Sequence, residues 1–192
     1  MTRTIVPSNA KLIPKEAKLV FKGVIFEVYQ WQQQLFDGSF ATFEMLRRPD
    51  TVKVVAVKNG KVVLLNEKQA GDAQRAYELP GGRHDVESET ELDCAKRELH
   101  EETGMVFQDW KLLDVAQMVF KTEAFVYTFL ATNFVRQDEP HIDPGEKIDV
   151  QLVDFEDCLA FSKTGDGQYL PTLIFEKAGS IEGLERLPEF KG

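Results

Sequence analysis

Cysteine is scarce. Only Cys94 and Cys158 occur in 192 residues, and they are far apart in the chain. That excludes a disulfide-stapled scaffold and any close-spaced cysteine metal site, and leaves two free thiols as the expectation. Basic residues are outnumbered, 23 against 32 acidic ones, giving a formal net charge of −9. Nonspecific attraction to nucleic acid or to an anionic membrane is therefore not expected. No stretch approaches the ~20 apolar residues that a spanning helix needs. The opening "MTRTIVPSNAKLIPKEAK" has no apolar core of a signal peptide, so a cytoplasmic protein is expected. Repeats and low-complexity tracts are absent as well. An acidic protein can nevertheless handle a polyanion when a metal cation stands between the two.

What is present is a globular composition, with 43% hydrophobic residues. The first half reads as strands. "KLVFKGVIFEVYQWQQQLF" carries β-branched and aromatic residues in partial alternation, and Asp37-Gly38 after it signals a hairpin. "TVKVVAV" and "KVVLLNEK" flank a second such turn at Asn59-Gly60. "WKLLDVAQMVF" and "EAFVYTFLATNFV" are further strand patterns, and "DFEDCLAFSKTG" and "LPTLIFEKAGSI" are helical ones. Without a regular strand–helix alternation, the expected class is α+β, a mixed sheet with helices packed outside it. Pro49-Asp50 is a plausible break. Residues 1–50 are read either as an N-terminal β-strand extension, a candidate dimerisation lobe, or as edge strands of one domain with 51–192.

The densest chemistry lies in "ELPGGRHDVESETELDCAKRELHEETGM", residues 78–105. Ser88-Glu89-Thr90-Glu91 is a possible capping box, so a helix is expected to begin near residue 89 or 90, and Gly104 to end it. At ~100° per residue, Leu92, Ala95 and Leu99 share the core-facing side, while Glu98, Glu101 and Glu102 share another. Three carboxylates on one arc suit a hard divalent cation, Mg²⁺ or Mn²⁺. Arg97 beside them is able to hold a carboxylate through two bonds, with Glu89 as a candidate partner. Gly81 and Gly82 permit a tight turn with exposed backbone groups, and a carbonyl there is a further candidate metal oxygen. The competing reading is a solvated acidic face.

These residues closely resemble the Nudix family, whose motif reads G-x5-E-x7-R-E-U-x-E-E-x-G-U, with U a bulky apolar residue. Glu89, Arg97, Glu98, Leu99, Glu101, Glu102, Gly104 and Met105 match its second part at every fixed position. One departure stands out. Gly82 and Glu89 are separated by six residues, "RHDVES", where the family pattern has five.

The resemblance implies a Nudix fold, a mixed β-sheet sandwiched between helices, and hydrolysis of a nucleoside diphosphate linked to another group. It implies Glu98 and Glu102 as main metal ligands, Glu101 as a ligand directly or through water, and Arg97 as the orienting residue; from the turn itself, the Gly82 carbonyl is the further candidate ligand. The flanks look like the branch acting on ADP-ribose and nucleotide sugars. There "DPGEKIDVQLVDFEDCLAF" matches a segment that often carries a catalytic acid, at Glu146. The general base is then Glu146 on a mobile loop or Glu101. N-terminal strands of that branch often pair between subunits, which makes a homodimer the expectation.

Phe26, Tyr29, Trp31 and Phe43 are candidates for stacking on a base, and Arg47, Arg48 and Arg75 for meeting phosphate. Core packing is the competing role for each strand aromatic. Two alternatives belong to other classes. One is a Nudix-like module that binds nucleotide sugars without turnover. The other is a different enzyme on the scaffold, such as an isoprenoid diphosphate isomerase or a hydrolase of dinucleoside polyphosphates or oxidised nucleotides.

Overall fold

The structure is a computed structural model that describes residues 3–71, 74–164 and 170–192. The first three strands, β1 (Lys18–Lys22), β2 (Glu27–Gln34) and β3 (Phe40–Arg47), form an antiparallel meander. Then come β4 (Asp50–Lys58), β5 (Lys61–Gln69), β6 (Gln74–Glu78) and the short β7 (Arg83–His84). Helix α1 (Glu91–Thr103) precedes β8 (Met105–Gln117), β9 (Thr122–Glu123), β10 (Phe125–Gln137) and β11 (Glu146–Val153). Three helices close the chain: α2 (Phe155–Thr164), α3 (Thr172–Ala178) and α4 (Ile181–Arg186). None of the described helices is long and apolar enough to cross a membrane.

The larger sheet has the order β11-β5-β4-β10-β8, with β6 paired to β5 and β7 to β4. It is mixed, because β10 runs parallel to β4 while β8 and β11 pair antiparallel. Alternation along each strand sorts its side chains to two faces. Val52 and Val54 of β4 and Phe125, Tyr127 and Phe129 of β10 face Cys94, Ala95 and Leu99 of α1. Val55, Leu64 and Leu130 pack on the other side with Phe155, Cys158, Phe175 and Leu184 from α2–α4. The sheet is thus sandwiched between helices, as the resemblance implied. Both cysteines are free and buried in these cores.

The smaller sheet, β1-β2-β3-β9, stands apart and joins the rest through the two-residue β9. The break near residue 50 is not a clean one. Residues before β1 are clasped onto the main body: Arg3 pairs with buried Asp50 (2.7 Å) and Glu123 (3.0 Å), and the backbone N–H and hydroxyl of Thr4 both donate to Glu91 at 2.8 Å. Glu123 also accepts from Arg47 of β3 at 3.1 Å. One buried carboxylate therefore joins the leading segment to the smaller sheet.

Candidate active site

Helix α1 begins at Glu91, later than the capping-box reading placed it. The cap is Thr90, whose hydroxyl accepts from the Asp93 N–H, so the box formed by Ser88 and Glu91 is not used. Such a cap stabilises a helix by about 1 kcal/mol. The shift has a consequence for the site. Glu89 stays outside the helix, and its carboxylate is free to turn back toward Arg97.

Arg97 is the hub. Its Nε and Nη2 donate to the two oxygens of Glu89 at 2.8 and 3.0 Å, and its Nη1 donates to Glu98 at 2.8 Å and Glu101 at 3.0 Å. These charges hold the guanidinium in its protonated form, the bonds to Glu89 contributing most. The extra residue between Gly82 and Glu89 does not break this arrangement. Arg83 and His84 pair with Thr51 and Asp50 of β4, and the His84 ring contacts the Glu89 carbonyl at 2.7 Å. The loop is pinned at both ends, and between them the chain turns, with the Glu89 N–H donating to the Val86 carbonyl at 3.2 Å.

The glycines fit against the helix. The Gly81 N–H donates to Glu102 at 2.8 Å. Gly81 has φ +143°, in the region that favours glycine, and a Cβ on it would collide with the Val52 carbonyl. A Cβ on Gly82 would overlap the Glu98 carboxylate. The Gly82 carbonyl accepts from the Val52 N–H at 2.9 Å, leaving its second lone pair for another partner.

Glu102 is only 9% exposed. Burial pushes its carboxyl up to about 8, against the opposing pull of Lys53 and the Gly81 N–H. Burial also raises Glu98, despite Arg97. Among the described residues, Arg97 is the one cation bonded to Glu89, Glu98 and Glu101, a single positive charge facing three carboxyl groups. Such hard oxygen donors are of the kind that Mg²⁺ or Mn²⁺ takes. Among the described residues, no three acidic, histidine or cysteine side chains are drawn together into a closed cage. Arg97 turns Glu98 and Glu101 toward itself, so the shared arc of the three glutamates does not amount to convergence of their oxygens.

Glu146 lies not within a loop but at the first residue of β11, opposite Gln69 of β5, whose side chain donates to it at 3.0 Å. Burial, then Glu67 and Asp143, raise its carboxyl above the ordinary range. Arg75 is committed to carboxylates, 3.1 Å from Glu67 and 3.6 Å from Glu78, with its Nε buried and unpartnered among the described residues. Among the described residues, Arg48 makes long contacts, 3.5 Å to the Met118 sulfur and 3.5 Å to the Thr51 hydroxyl, and its Nε is also buried without a partner there. Phe26 and Trp31 belong to the smaller-sheet region. Phe26 is exposed just before β2, and Trp31 packs on Phe43 with ring centroids 6.1 Å apart.

Sequence reasoning missed Lys53, Glu67 and Glu78. Lys53 donates to Glu78 and to the Leu79 carbonyl, both at 3.2 Å. The signal was a lone charge inside the valine run "TVKVVAV" of β4.

A family model for the NUDIX domain matches residues 47–173, more than half of the chain. Among curated proteins, the ADP-ribose pyrophosphatase of Bacillus subtilis (strain 168) is 29% identical over 154 residues, 78% of this chain and 80% of that protein. The ADP-ribose pyrophosphatase of Mycobacterium tuberculosis (strain ATCC 25618 / H37Rv) is 29% identical over 120 residues, 62% of this chain and 58% of that protein. Among solved structures, a crystal structure of an ADP compounds hydrolase superposes with a TM-score of 0.63 at 19% identity, covering 88% of this chain and 98% of that one. That likeness concerns the fold.

Proposed function

This chain belongs to the Nudix family and is a Nudix hydrolase, and we propose that it cleaves the diphosphate of ADP-ribose or a nucleotide sugar with a divalent cation. The products are a nucleoside monophosphate and a sugar phosphate. The observation that carries this reading is the Arg97 hub, which fixes Glu89, Glu98 and Glu101 beside the Gly81-Gly82 turn and the buried Glu102. The names of the curated relatives support ADP-ribose as the first substrate to try.

Glu98 and Glu102 are the proposed cation ligands, with Glu101 and the Gly82 carbonyl as further oxygen donors. The cation, Mg²⁺ or Mn²⁺, neutralises phosphate charge and lowers the pKa of the attacking water. Arg97 prevents its glutamates from splaying apart under mutual repulsion. Glu146 is the proposed general base, because its raised carboxyl is better matched to accepting a proton near neutral pH than an ordinary glutamate. Glu101, at 41% side-chain exposure and held by Arg97, is the alternative base. Arg48, with an unpartnered Nε, is the candidate to meet a substrate phosphate. Arg75 would have to give up a carboxylate to do so. Phe26 and Trp31 are proposed to stack on the base.

The test is a turnover panel of ADP-ribose, nucleotide sugars, dinucleoside polyphosphates and oxidised nucleotides, with Mg²⁺ and with Mn²⁺. Release of a nucleoside monophosphate from ADP-ribose or a nucleotide sugar is the expected result. Binding without turnover on the whole panel would instead identify a non-catalytic binding module.

Residues 1–50 are proposed to pair two chains into a homodimer. What supports this is the apolar surface of the smaller sheet, where Leu19, Phe21 and Phe40 are 46%, 58% and 62% exposed, next to an edge of β1 that is unpaired among the described residues.

A further inference from the structure

Three carboxylates are nearly buried, Glu67 of β5, Glu78 of β6 and Glu102 of α1, with exposures of 6%, 2% and 9%; Arg75 joins the first two, and the Gly81 N–H, just beyond Glu78 in the chain, holds the third. Two cations answer them. Arg75 reaches Glu67 and Glu78 from β6, and Lys53 reaches Glu78 from β4. Both reach the same oxygen of Glu78, Oε2, while Oε1 is buried without a hydrogen-bond partner among the described residues. The carboxylate is therefore only half satisfied. The Lys53 ammonium is 18% exposed on its side chain and uses two of its three donors, on Glu78 and on the Leu79 carbonyl.

The placement of Lys53 is tight. Its strand neighbours Val52 and Val54 are fully buried. The segment carrying Glu78 lies against it, with the Val54 N–H donating to the Pro80 carbonyl at 2.8 Å and the Val52 N–H to the Gly82 carbonyl. The Gly81 N–H holds Glu102 on this same segment. Lys53 is thus held between Glu78 and the turn that grips Glu102. An ammonium in such a place costs solvation free energy unless carboxylates compensate it. Removing it would leave Glu78 with Arg75 alone, at 3.6 Å.

We propose that Lys53 is a resident counter-charge of the catalytic cleft, occupying the Glu78 end of the carboxylate cluster and limiting how tightly the cleft takes up divalent cations. The inference rests on the reading of Glu98 and Glu102 as cation ligands. Its logic is Coulombic. A fixed positive charge near a divalent ion repels it, and in a partly buried site this repulsion is screened far less than in water. Glu78, with its free oxygen, becomes a usable donor for a second cation only when Lys53 no longer claims the other.

The experiment is a titration of the full chain with Mn²⁺, read by electron paramagnetic resonance of the free ion, so it does not depend on turnover. Lys53→Gln keeps a donor for Glu78 and Leu79 and removes only the charge. It is expected to bind Mn²⁺ at least ~10-fold more tightly, or to take up one more ion per chain. Lys53→Arg, which keeps the charge, is expected to bind as the wild type does. Lys53→Gln combined with Glu78→Gln, which removes a negative charge as well, is expected to lose the gain. Circular dichroism checks that each variant is folded, and Lys53→Met serves if the glutamine variant is not. Unchanged or weaker binding in the folded neutral variant, with the wild type binding Mn²⁺, overturns the role of Lys53 alone. A wild type that binds no Mn²⁺ overturns the cation reading of the glutamates along with it.

Discussion

Strands β2 and β3 together carry four aromatic residues, the same number as β10 alone. In β10, Phe125, Tyr127 and Phe129 are nearly or fully buried against α1. In the smaller sheet, Phe40 and Phe43 are exposed, and the described residues supply no helix to cover them. Similar strand sequences thus reach opposite fates, decided by what lies across from them. The larger sheet has helices on both faces and can hold charged side chains rigid at its rim. The smaller one has apolar area to offer. The proposed chemistry and the proposed association divide between them accordingly.

The sharpest way to break that division is at the rim. Glu146→Gln is expected to lower kcat by ~10²–10⁴-fold with KM nearly unchanged, since a general base acts in the transition state. Its raised carboxyl fixes the sign of the pH dependence. The ionised form, which accepts the proton, is lost as pH falls through a value above the ordinary ~4.3 of glutamate. The acid limb of the kcat profile should therefore lie above that value, and should vanish in the glutamine variant. Steady-state kinetics from pH 5 to 9 measure both. A drop of less than a few-fold would move the base role to Glu101. Glu102→Gln is expected to cost at least ~10²-fold in turnover at saturating Mg²⁺ with the fold retained. Near-normal activity would remove Glu102 from the ligand set.

Next in size is the core. Phe125→Ala removes a fully buried ring between β10 and α1 and should destabilise the chain by about 3–5 kcal/mol. Denaturant unfolding monitored by circular dichroism gives the number. A cost under about 1 kcal/mol would mean that the α1 face is no more rigid than the smaller sheet. Thr90→Ala is a smaller change, expected at about 1 kcal/mol through loss of the N-cap on α1.

Local patterns carried much of this. Asn59-Gly60 has positive φ at both residues, 54° and 73°, as a tight hairpin turn requires, and the dipeptide announced it. The glutamates, Arg97 and the helix stop at Gly104 were readable because their spacing lies within one element. What was not readable depends on distant partners. Arg3 meets Asp50 and Glu123 across 47 and 120 residues of chain, and nothing in "MTRTIV" signals a clasp. Lys53 and Glu78 are 25 residues apart and meet only because the turn after β6 folds back along β4. Glu146 sat in a run with turn residues, so it read as loop. Its pairing with Gln69 is a long-range fact that periodicity cannot carry. Strand β9, with two residues, is too short to have a period at all.

The smallest expected effect tests the other side of the comparison. Phe21 is 58% exposed on β1, whose outer edge pairs with nothing among the described residues. Its ring meets water on the isolated chain, so Phe21→Ser should change the unfolding free energy of dilute protein by no more than about 0.5 kcal/mol. If the smaller sheet is where two chains meet, the same substitution removes apolar contact from that interface. Light scattering across a dilution series should then show the variant dissociating at a higher concentration than the wild type. Stability and association would separate in one residue, which Phe125 in the core cannot do. An unchanged dissociation curve would place any dimer contact away from β1. A large loss of stability in the dilute monomer would show that the exposed sheet contributes to the fold as β10 does.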